Sequence, residues 1–160
     1  MTIQVGDRIP PSTVMYMKKD GPASLTTDKL FKGRKVAMFG LPGAFTPTCS
    51  AAHLPGYVAR ADKLLAKGID RIVCISVNDA FVMDAWGRQH NVDDNVMMAA
   101  DGNAEFTKAI GLDVDLTERG MGIRSQRYSM LVEDGMITQL NIEAPGKFEV
   151  SDADTLLASL

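Results

Sequence analysis

The chain reads VAMFGLPGAFTPTCSAAHL over residues 36–54, and this stretch decides the fold. Its first five residues, 36–40, are apolar and end in glycine, which predicts a short buried strand. Pro42-Gly43 then breaks the strand, because both residue types favour turns. Thr46 suits a helix N-cap and Pro47 suits the first helical position, so a helix is predicted to begin here.

On this interpretation Cys49 occupies the third position of the helix, near unpaired backbone N–H groups and the positive end of the helix dipole. A thiol in that position ionises more readily to the thiolate. Its neighbours are the Gly, Pro, Thr and Ser residues of a loop-to-helix turn, where a residue that only fills core has little reason to lie. The sequence therefore indicates a reactive cysteine, and a buried core cysteine is the alternative.

The rest of the chain alternates predicted strands and helices. Buried strands are predicted over 71–77 and 96–99, a hairpin over 128–132 and 136–142, and helices over 28–31, 46–67, 79–90 and 105–110. Pro55 is expected to kink the second helix because it has no N–H to donate. The order predicts an α/β fold with a central mixed sheet flanked by helices and a C-terminal antiparallel hairpin. A thioredoxin-like fold fits this order throughout, whereas a flavodoxin-like sheet fits only its first half.

The composition indicates one domain without a nucleic-acid or membrane signature. No linker or repeat divides residues 1–160, and a hydrophobic content of 46% suffices for one core. The formal charge of −3, without a basic run, gives no bias toward nucleic acid or anionic membranes. No apolar stretch reaches membrane-spanning length, and the first residues do not resemble a signal peptide. Two cysteines do not make a disulfide scaffold, so we expect a reduced, cytoplasmic protein.

Other side chains are candidates for a site around Cys49. Thr46, as an N-cap, is expected to accept a hydrogen bond from the Cys49 N–H, which also brings its hydroxyl beside the sulfur. Arg127 follows a glycine-rich stretch and opens an apolar strand. It is the cation that we pair with the thiolate, because a guanidinium does not deprotonate. Arg124 and Arg119 are rivals for that role.

His53 and Cys74 are weaker candidates. His53 lies four residues after Cys49, so a Cys–His dyad is open, as is a histidine that satisfies a backbone carbonyl. Cys74 lies mid-strand among branched aliphatic residues, which indicates a buried and inert thiol, at most a secondary one. Two cysteines without C-x-x-C, two distant histidines and no phosphate loop predict neither a metal nor a cofactor.

These motifs together resemble one known family. Residues 42–50 (PGAFTPTCS) contain the P-x-x-x-T-x-x-C pattern of peroxiredoxins, and the resemblance is narrower, to the peroxiredoxin-5 (type II) branch. Further blocks follow in the order of that branch: HLPG at 53–56, SVNDAFV at 76–82, WGR at 86–88 and RYSM at 127–130. The resemblance implies a thioredoxin-like fold and reduction of hydrogen peroxide and alkyl hydroperoxides through a cysteine sulfenic acid.

The same resemblance implies a role for each residue of the motif. Cys49 would be the peroxidatic thiolate, Thr46 and Arg127 its polarising partners, and Pro42 a shield over the pocket. No metal or organic cofactor is implied. Together with the amphipathic, aromatic-containing segment 79–90, the resemblance predicts a homodimer packed near the active-site face.

The chain departs from the branch near its C-terminus. Some members carry a resolving cysteine close to the position of Ser151, and this chain has no cysteine after Cys74. The sulfenic acid is therefore predicted to be resolved by an external thiol, either glutathione with glutaredoxin or thioredoxin. Cys74 matches a cysteine of plant-type members for which a resolving role has been suggested, but burial on a strand opposes that role.

The sequence is also compatible with two other functions. One is a thioredoxin-like disulfide reductase using Cys49 and Cys74, which requires their Cα atoms within about 7 Å. The other is a thioredoxin-fold module without catalysis, acting as a holdase or interaction domain.

Overall fold

The computed structural model describes all of residues 1–160. Its strands are β1 Thr13–Lys18, β2 Gly21–Thr26, β3 Lys35–Gly40, β4 Arg71–Ser76, β5 Met97–Ala100, β6 Asp113–Asp115, β7 Ile123–Ser125, β8 Tyr128–Glu133 and β9 Met136–Ile142. Its α-helices are α1 Thr27–Phe31, α2 Leu54–Ala66, α3 Ala80–Gln89, α4 Glu105–Ala109 and α5 Ala153–Ala158. A π-helical turn, Cys49–His53, leads directly into α2.

Seven of the strands form one mixed sheet in the order β2-β1-β5-β4-β3-β8-β9. The three central strands are parallel, with β4 between β3 and β5. On the other side of β3, the strands β8 and β9 continue the sheet as an antiparallel hairpin. The predicted mixed sheet with inner parallel strands and a C-terminal hairpin is therefore confirmed.

Period-two alternation along the central strands divides the core between the two faces of the sheet. On β3, Ala37 and Phe39 join one buried cluster, whereas Val36 and Met38 join the other. The first cluster also contains Cys49 and packs under α2, α3 and α5. Cys74 on β4 belongs to this same cluster. Both cysteines therefore lie on one side of the sheet.

The predicted helix at 46–67 begins at Pro47 and runs to Ala66, but its second turn is π-helical. In that turn the Leu54 N–H donates to the carbonyl of Cys49, five residues earlier. Pro55 has no N–H and cannot continue the α-helical ladder, so the irregularity falls just before it. The kink expected at Pro55 thus takes the form of a π turn that carries Cys49 at its start and His53 at its end.

Three features were not predicted from the sequence. The N-terminal strands β1 and β2 pair as an edge hairpin, with Thr13 opposite Thr26 and Lys18 opposite Gly21. Only Val14 of β1 is fully buried, so this strand lacks the apolar pattern of a core strand. The small sheet β6–β7 and the helix α5 are short elements whose hydrophobic patterns are equally weak.

None of the helices combines the length and apolar character needed to span a bilayer.

Candidate active site

Strand pairing brings together two residues that are 78 positions apart in the chain, Cys49 and Arg127. The antiparallel ladder of β3 and β8 sets Tyr128 opposite Gly40. Arg127 immediately precedes β8, so it stands beside the end of β3, where the loop toward Cys49 begins. A Cβ on residue 40 would stand 2.2 Å from the Tyr128 ring, which explains why β3 ends in glycine.

Arg127 contacts the sulfur directly. Its Nη2 atom donates to Sγ of Cys49 at 3.2 Å, and Cys49 itself is fully buried. A guanidinium remains charged at any physiological pH and presents several donors in a fixed plane. Of the three arginines proposed from the sequence, Arg127 is the one that touches the thiol and can stabilise its negative charge.

The other two candidate arginines, Arg124 and Arg119, form no hydrogen bond with the Cys49 sulfur. Arg124 donates through Nε to the Met121 carbonyl at 2.9 Å and through Nη1 to the Pro42 carbonyl at 3.3 Å. It lies so close to Gly43 that a Cβ there would be 2.6 Å from Nη1. Arg124 therefore stabilises the loop before Cys49 and does not bind the sulfur. Arg119 is exposed at the rim of the adjoining cavity.

His53 orients Arg127 and does not form a dyad with Cys49. Its Nδ1 atom accepts from Arg127 Nη1 at 2.8 Å, and its Nε2 atom lies 3.1 Å from the carbonyl oxygen of Ser151. A carbonyl only accepts hydrogen bonds, so Nε2 carries the proton and Nδ1 offers its lone pair. Burial, reinforced by the charge of Arg127, lowers the pKa of His53 from 6.5 to about 3. The ring is therefore neutral at physiological pH.

Thr46 adopts a different hydrogen bond from the predicted cap. Its hydroxyl donates to the Gly43 carbonyl at 2.7 Å, whereas an N-cap was expected to accept from the Cys49 N–H. The chain reverses tightly between Gly43 and Thr46, because Phe45 has a left-handed backbone with φ of 65°, and this geometry presents the Gly43 carbonyl to the hydroxyl. The only hydrogen of the Thr46 hydroxyl is thus already used, and its remaining lone pair can only accept.

A cavity of about 560 Å³ adjoins these residues, and Pro42, Thr46 and Arg127 all line it. Most of its remaining wall comes from apolar or uncharged side chains, among them Leu116 and Met121. Such a cavity has room for an organic molecule, and polar side chains such as Gln126 and Lys147 stand beside its apolar ones.

The segment 143–151, here called the strap, forms one wall of the site. Glu143 at its start accepts hydrogen bonds from the backbone N–H groups of Glu149, Val150 and Ser151 and from the Ser151 hydroxyl. Phe148 of the strap packs on His53 with ring centroids 5.0 Å apart, and its ring lies 5.8 Å from the Arg127 guanidinium. Neither Glu143 nor Phe148 was predicted from the sequence, because a glutamate in a polar stretch such as EAPGKFEVS carries no local signal of burial.

Cys74 lies in the middle of β4, as expected, and is fully buried. It pairs with Phe39 of β3 on one side and Met98 of β5 on the other. Burial raises the pKa of the Cys74 thiol well above its ordinary value, and the neighbouring Cys49 adds to that shift. Both cysteines are unpaired. Cys74 is thus a protonated core thiol and a poor partner for exchange chemistry.

Comparison with known proteins gives consistent matches over the whole chain. Residues 4–157 match the family model described as Redoxin. The chain is 44% identical to Peroxiredoxin-2B of Arabidopsis thaliana, an alignment that covers 99% of this chain and 98% of that relative. The solved structure of reduced Prx3 in complex with H2O2 from Vibrio vulnificus is 51% identical, with a TM-score of 0.96 and 99% of each chain covered. Peroxiredoxin 5 from Alvinella pompejana is 36% identical, with a TM-score of 0.86 over 98% of this chain and 97% of that one.

Proposed function

Because this chain belongs to the redoxin family and is a peroxiredoxin, a thiol-dependent peroxidase, we propose that Cys49 is the residue oxidised by peroxide. One observation carries the assignment: the Arg127 guanidinium lies 3.2 Å from the Cys49 sulfur and also lines the adjoining cavity. A cation held against a sulfur favours the thiolate, which is the nucleophilic form. Cys74 is equally buried but has no comparable cationic partner.

The proposed chemistry is a displacement at oxygen. The Cys49 thiolate attacks the hydroxyl oxygen of a hydroperoxide, an S–O bond forms and the O–O bond breaks. The sulfur becomes a sulfenic acid, and the departing alkoxide or hydroxide takes a proton from water. Arg127 stabilises the charge that develops on the peroxide oxygens, because it already points at the reacting sulfur.

Thr46 and Pro42 complete this proposal. The Thr46 hydroxyl has given its hydrogen to the Gly43 carbonyl, so toward a bound peroxide it accepts the hydrogen of the peroxide O–H. That contact orients the oxygen to be attacked. The Pro42 ring lines the same cavity and shields the sulfenic acid from water.

The cavity supports organic hydroperoxides as substrates beside hydrogen peroxide. Its volume of about 560 Å³ far exceeds the size of hydrogen peroxide, and apolar side chains such as Leu116, Met121 and Phe148 line it. Burial of an alkyl group there contributes about 0.8 kcal/mol for each methylene group removed from water. Cys49 itself is fully buried, so the proposed thiol reductant reaches the oxidised sulfur only when the turn that carries it opens locally.

The proposed reductant is an external thiol, either glutathione with glutaredoxin or thioredoxin. The only other cysteine, Cys74, is fully buried, and burial raises the pKa of its thiol, so it is a poor resolving partner for Cys49. An external thiol instead attacks the Cys49 sulfenic sulfur, water leaves, and a second thiol reduces the mixed disulfide. We propose the cytoplasm as the compartment, because two cysteines do not make a disulfide scaffold and a thiol reductant is available there.

A homodimer is part of the proposal. Phe81 on α3 is 65% exposed and Phe45 in the active-site loop is 49% exposed, although both are large aromatic residues. Phe45 lies 6.3 Å from the buried ring of Trp86, so both phenylalanines belong to the α3 side of the site. A second copy of the chain covering this face would remove both rings from water.

The direct experiment is substitution of each cysteine. Cys49→Ser is expected to abolish peroxide consumption with an unchanged circular-dichroism spectrum, because a serine hydroxyl is not ionised near neutral pH. Cys74→Ser is the matched control and is expected to retain most of the activity. A folded Cys74→Ser protein without activity would contradict the assignment of Cys49 as the single essential thiol.

A further inference from the structure

We infer that Glu143 is a positioning residue for peroxide reduction: it locks the strap, and the locked strap holds His53 and Phe148 against Arg127. This inference deepens the peroxidase function proposed above and rests on it. It assigns a role in catalysis to a carboxylate that touches neither the sulfur nor the guanidinium.

The first link is the carboxylate of Glu143. It accepts five hydrogen bonds: Oε1 and Oε2 from the Glu149 N–H at 2.9 Å each, and Oε2 from the Val150 N–H at 2.9 Å, the Ser151 N–H at 2.8 Å and the Ser151 hydroxyl at 2.7 Å. Glu143 is only 6% exposed and forms no salt bridge. Burial alone would raise the pKa of Glu143, but these hydrogen bonds outweigh burial and keep it below its ordinary value. The ionised carboxylate is therefore what closes the strap.

The second link is the carbonyl of Ser151. It accepts from His53 Nε2 at 3.1 Å and from the Tyr57 hydroxyl at 2.8 Å, and Ser151 is fully buried. These two donors occupy both lone pairs of the carbonyl. Glu143 thus holds the Ser151 backbone in place through the Ser151 N–H. The Ser151 carbonyl in turn sets the tautomer and the ring orientation of His53.

The third link is the guanidinium of Arg127. One terminal nitrogen donates to His53 Nδ1 at 2.8 Å, which leaves the other aimed at the Cys49 sulfur at 3.2 Å. Phe148 of the strap covers the same guanidinium. Because the guanidinium is planar, holding one nitrogen sets the direction of the other.

The arrangement has an electrostatic advantage over a direct ion pair. A carboxylate on Arg127 would neutralise the charge that the thiolate and the peroxide need. The neutral ring of His53 orients Arg127 without reducing its charge, and the charge of Glu143 is satisfied by backbone N–H groups of the strap. Glu143 therefore acts on Arg127 through geometry.

The test uses three variants of the full chain. Glu143→Ala removes every acceptor, Glu143→Gln keeps the shape and one acceptor oxygen, and Glu149→Ala is the matched control. Glu149 is an exposed carboxylate of the same strap whose side chain forms no hydrogen bond, so its loss leaves the network intact.

The first readout is the rate constant of Cys49 oxidation by hydrogen peroxide in stopped flow. The signal comes from Trp86, the chain's single tryptophan, whose Nε1 donates to Ser50 beside Cys49 at 3.0 Å.

The second readout is the pH profile of Cys49 alkylation by iodoacetamide, which needs no peroxide. Glu143→Ala is expected to slow oxidation by roughly tenfold or more and to move the alkylation midpoint to higher pH, because the guanidinium is no longer aimed at the sulfur. Glu143→Gln is expected to lie between Glu143→Ala and the wild type. Glu149→Ala is expected to remain within about twofold of the wild-type rate.

A double-mutant cycle separates positioning from general destabilisation. If Glu143 acts through Arg127, adding Glu143→Ala to Arg127→Gln slows oxidation no further than Arg127→Gln alone. The inference would be overturned if the rate losses of the two single variants multiply in the double variant. It would also be overturned if Glu143→Ala melts at a lower temperature but reacts with peroxide at the wild-type rate. If Glu143→Ala does not fold, Glu143→Gln provides the test. An oxidation rate and an alkylation profile unchanged in Glu143→Gln would then overturn the inference. Failure of the wild-type protein to consume peroxide would instead refute the proposed function, while the alkylation profiles would still test the strap.

Discussion

Arg127 donates a hydrogen bond to Nδ1 of His53 at 2.8 Å, and the histidine is held neutral by that contact and by its burial. Protonation of Nδ1 would remove the acceptor and set two cations against each other. The pair therefore joins the pH dependence of stability to the geometry of the thiol site.

Acid should destabilise the protein through His53. Its pKa is lowered to about 3 in the folded chain, against 6.5 for an unperturbed histidine, so the unfolded chain binds more protons between these values. The stabilisation is therefore fully present above pH 6.5 and is lost as pH falls toward 3. Chemical unfolding at a series of pH values should show the free energy of unfolding decreasing through this window. His53→Gln should flatten that slope, and an equally steep slope in the variant would assign it to other groups.

Arg127→Gln should slow oxidation of Cys49 by about 100-fold, because one well-placed donor to developing charge is worth two to three orders of magnitude. The midpoint of the alkylation profile should rise at the same time. Arg127→Lys should recover only part of the rate, since a point charge cannot bind His53 and the sulfur together. Arg8→Gln, a surface change beside the Asp134 turn, is the control and should leave the rate unchanged. Normal kinetics in Arg127→Gln would transfer the role to another cation.

The hydroxyl of Thr46 should matter more than its methyl group. Thr46→Val should reduce kcat/KM for hydrogen peroxide by about tenfold or more, because it removes the acceptor that orients the peroxide. Thr46→Ser should retain most of the activity, since the donation to the Gly43 carbonyl and the free lone pair both survive. Equal losses in the two variants, measured by steady-state peroxide consumption, would point to packing instead of hydrogen bonding.

Oxidation should stop at a persistent sulfenic acid when no outside thiol is present. One equivalent of peroxide should add one oxygen to the intact mass, excess peroxide should drive Cys49 to the sulfinic acid, and glutathione should convert the first product to an adduct. Cys74→Ser should give the same products. A loss of two hydrogens in the wild-type protein within the time of turnover, absent in Cys74→Ser, would establish a Cys49–Cys74 disulfide and refute external resolution.

Phe81→Arg should convert the proposed dimer to a monomer. The substitution puts a charge on a ring that is 65% exposed in the single chain and would be covered in the dimer. Sedimentation velocity at micromolar concentration should show the dimer in the wild type and the monomer in the variant. Lys67→Glu, at the far end of α2, is the control. A monomeric wild type in both redox states would end the dimer proposal.

The family, the thioredoxin-like fold and the peroxidase activity expected from the motifs are confirmed by the matches along the chain. The strands around Phe39 and Cys74 and the C-terminal hairpin were predictable because they are short, apolar and bounded by turn residues. The edge strands β1 and β2 were not, because exposed edges tolerate polar residues and carry a weak period. The π turn at Cys49 was predicted only as a kink, since Pro55 determines that a hydrogen bond is lost but not how the turn adapts.

The sequence by itself determined the strand, the turn and the start of the helix that carries Cys49, because glycine and proline preferences act within a few residues. Only the tertiary structure decided which cation meets the sulfur. Arg127 reaches Cys49 through the pairing of β3 with β8, and the choice among three arginines depends on that long-range register. The same holds for Glu143, whose role arises from backbone N–H groups that every residue possesses. No local pattern marks such a partner, because hydrogen bonds to the main chain depend on where the chain folds back and not on which side chain it carries.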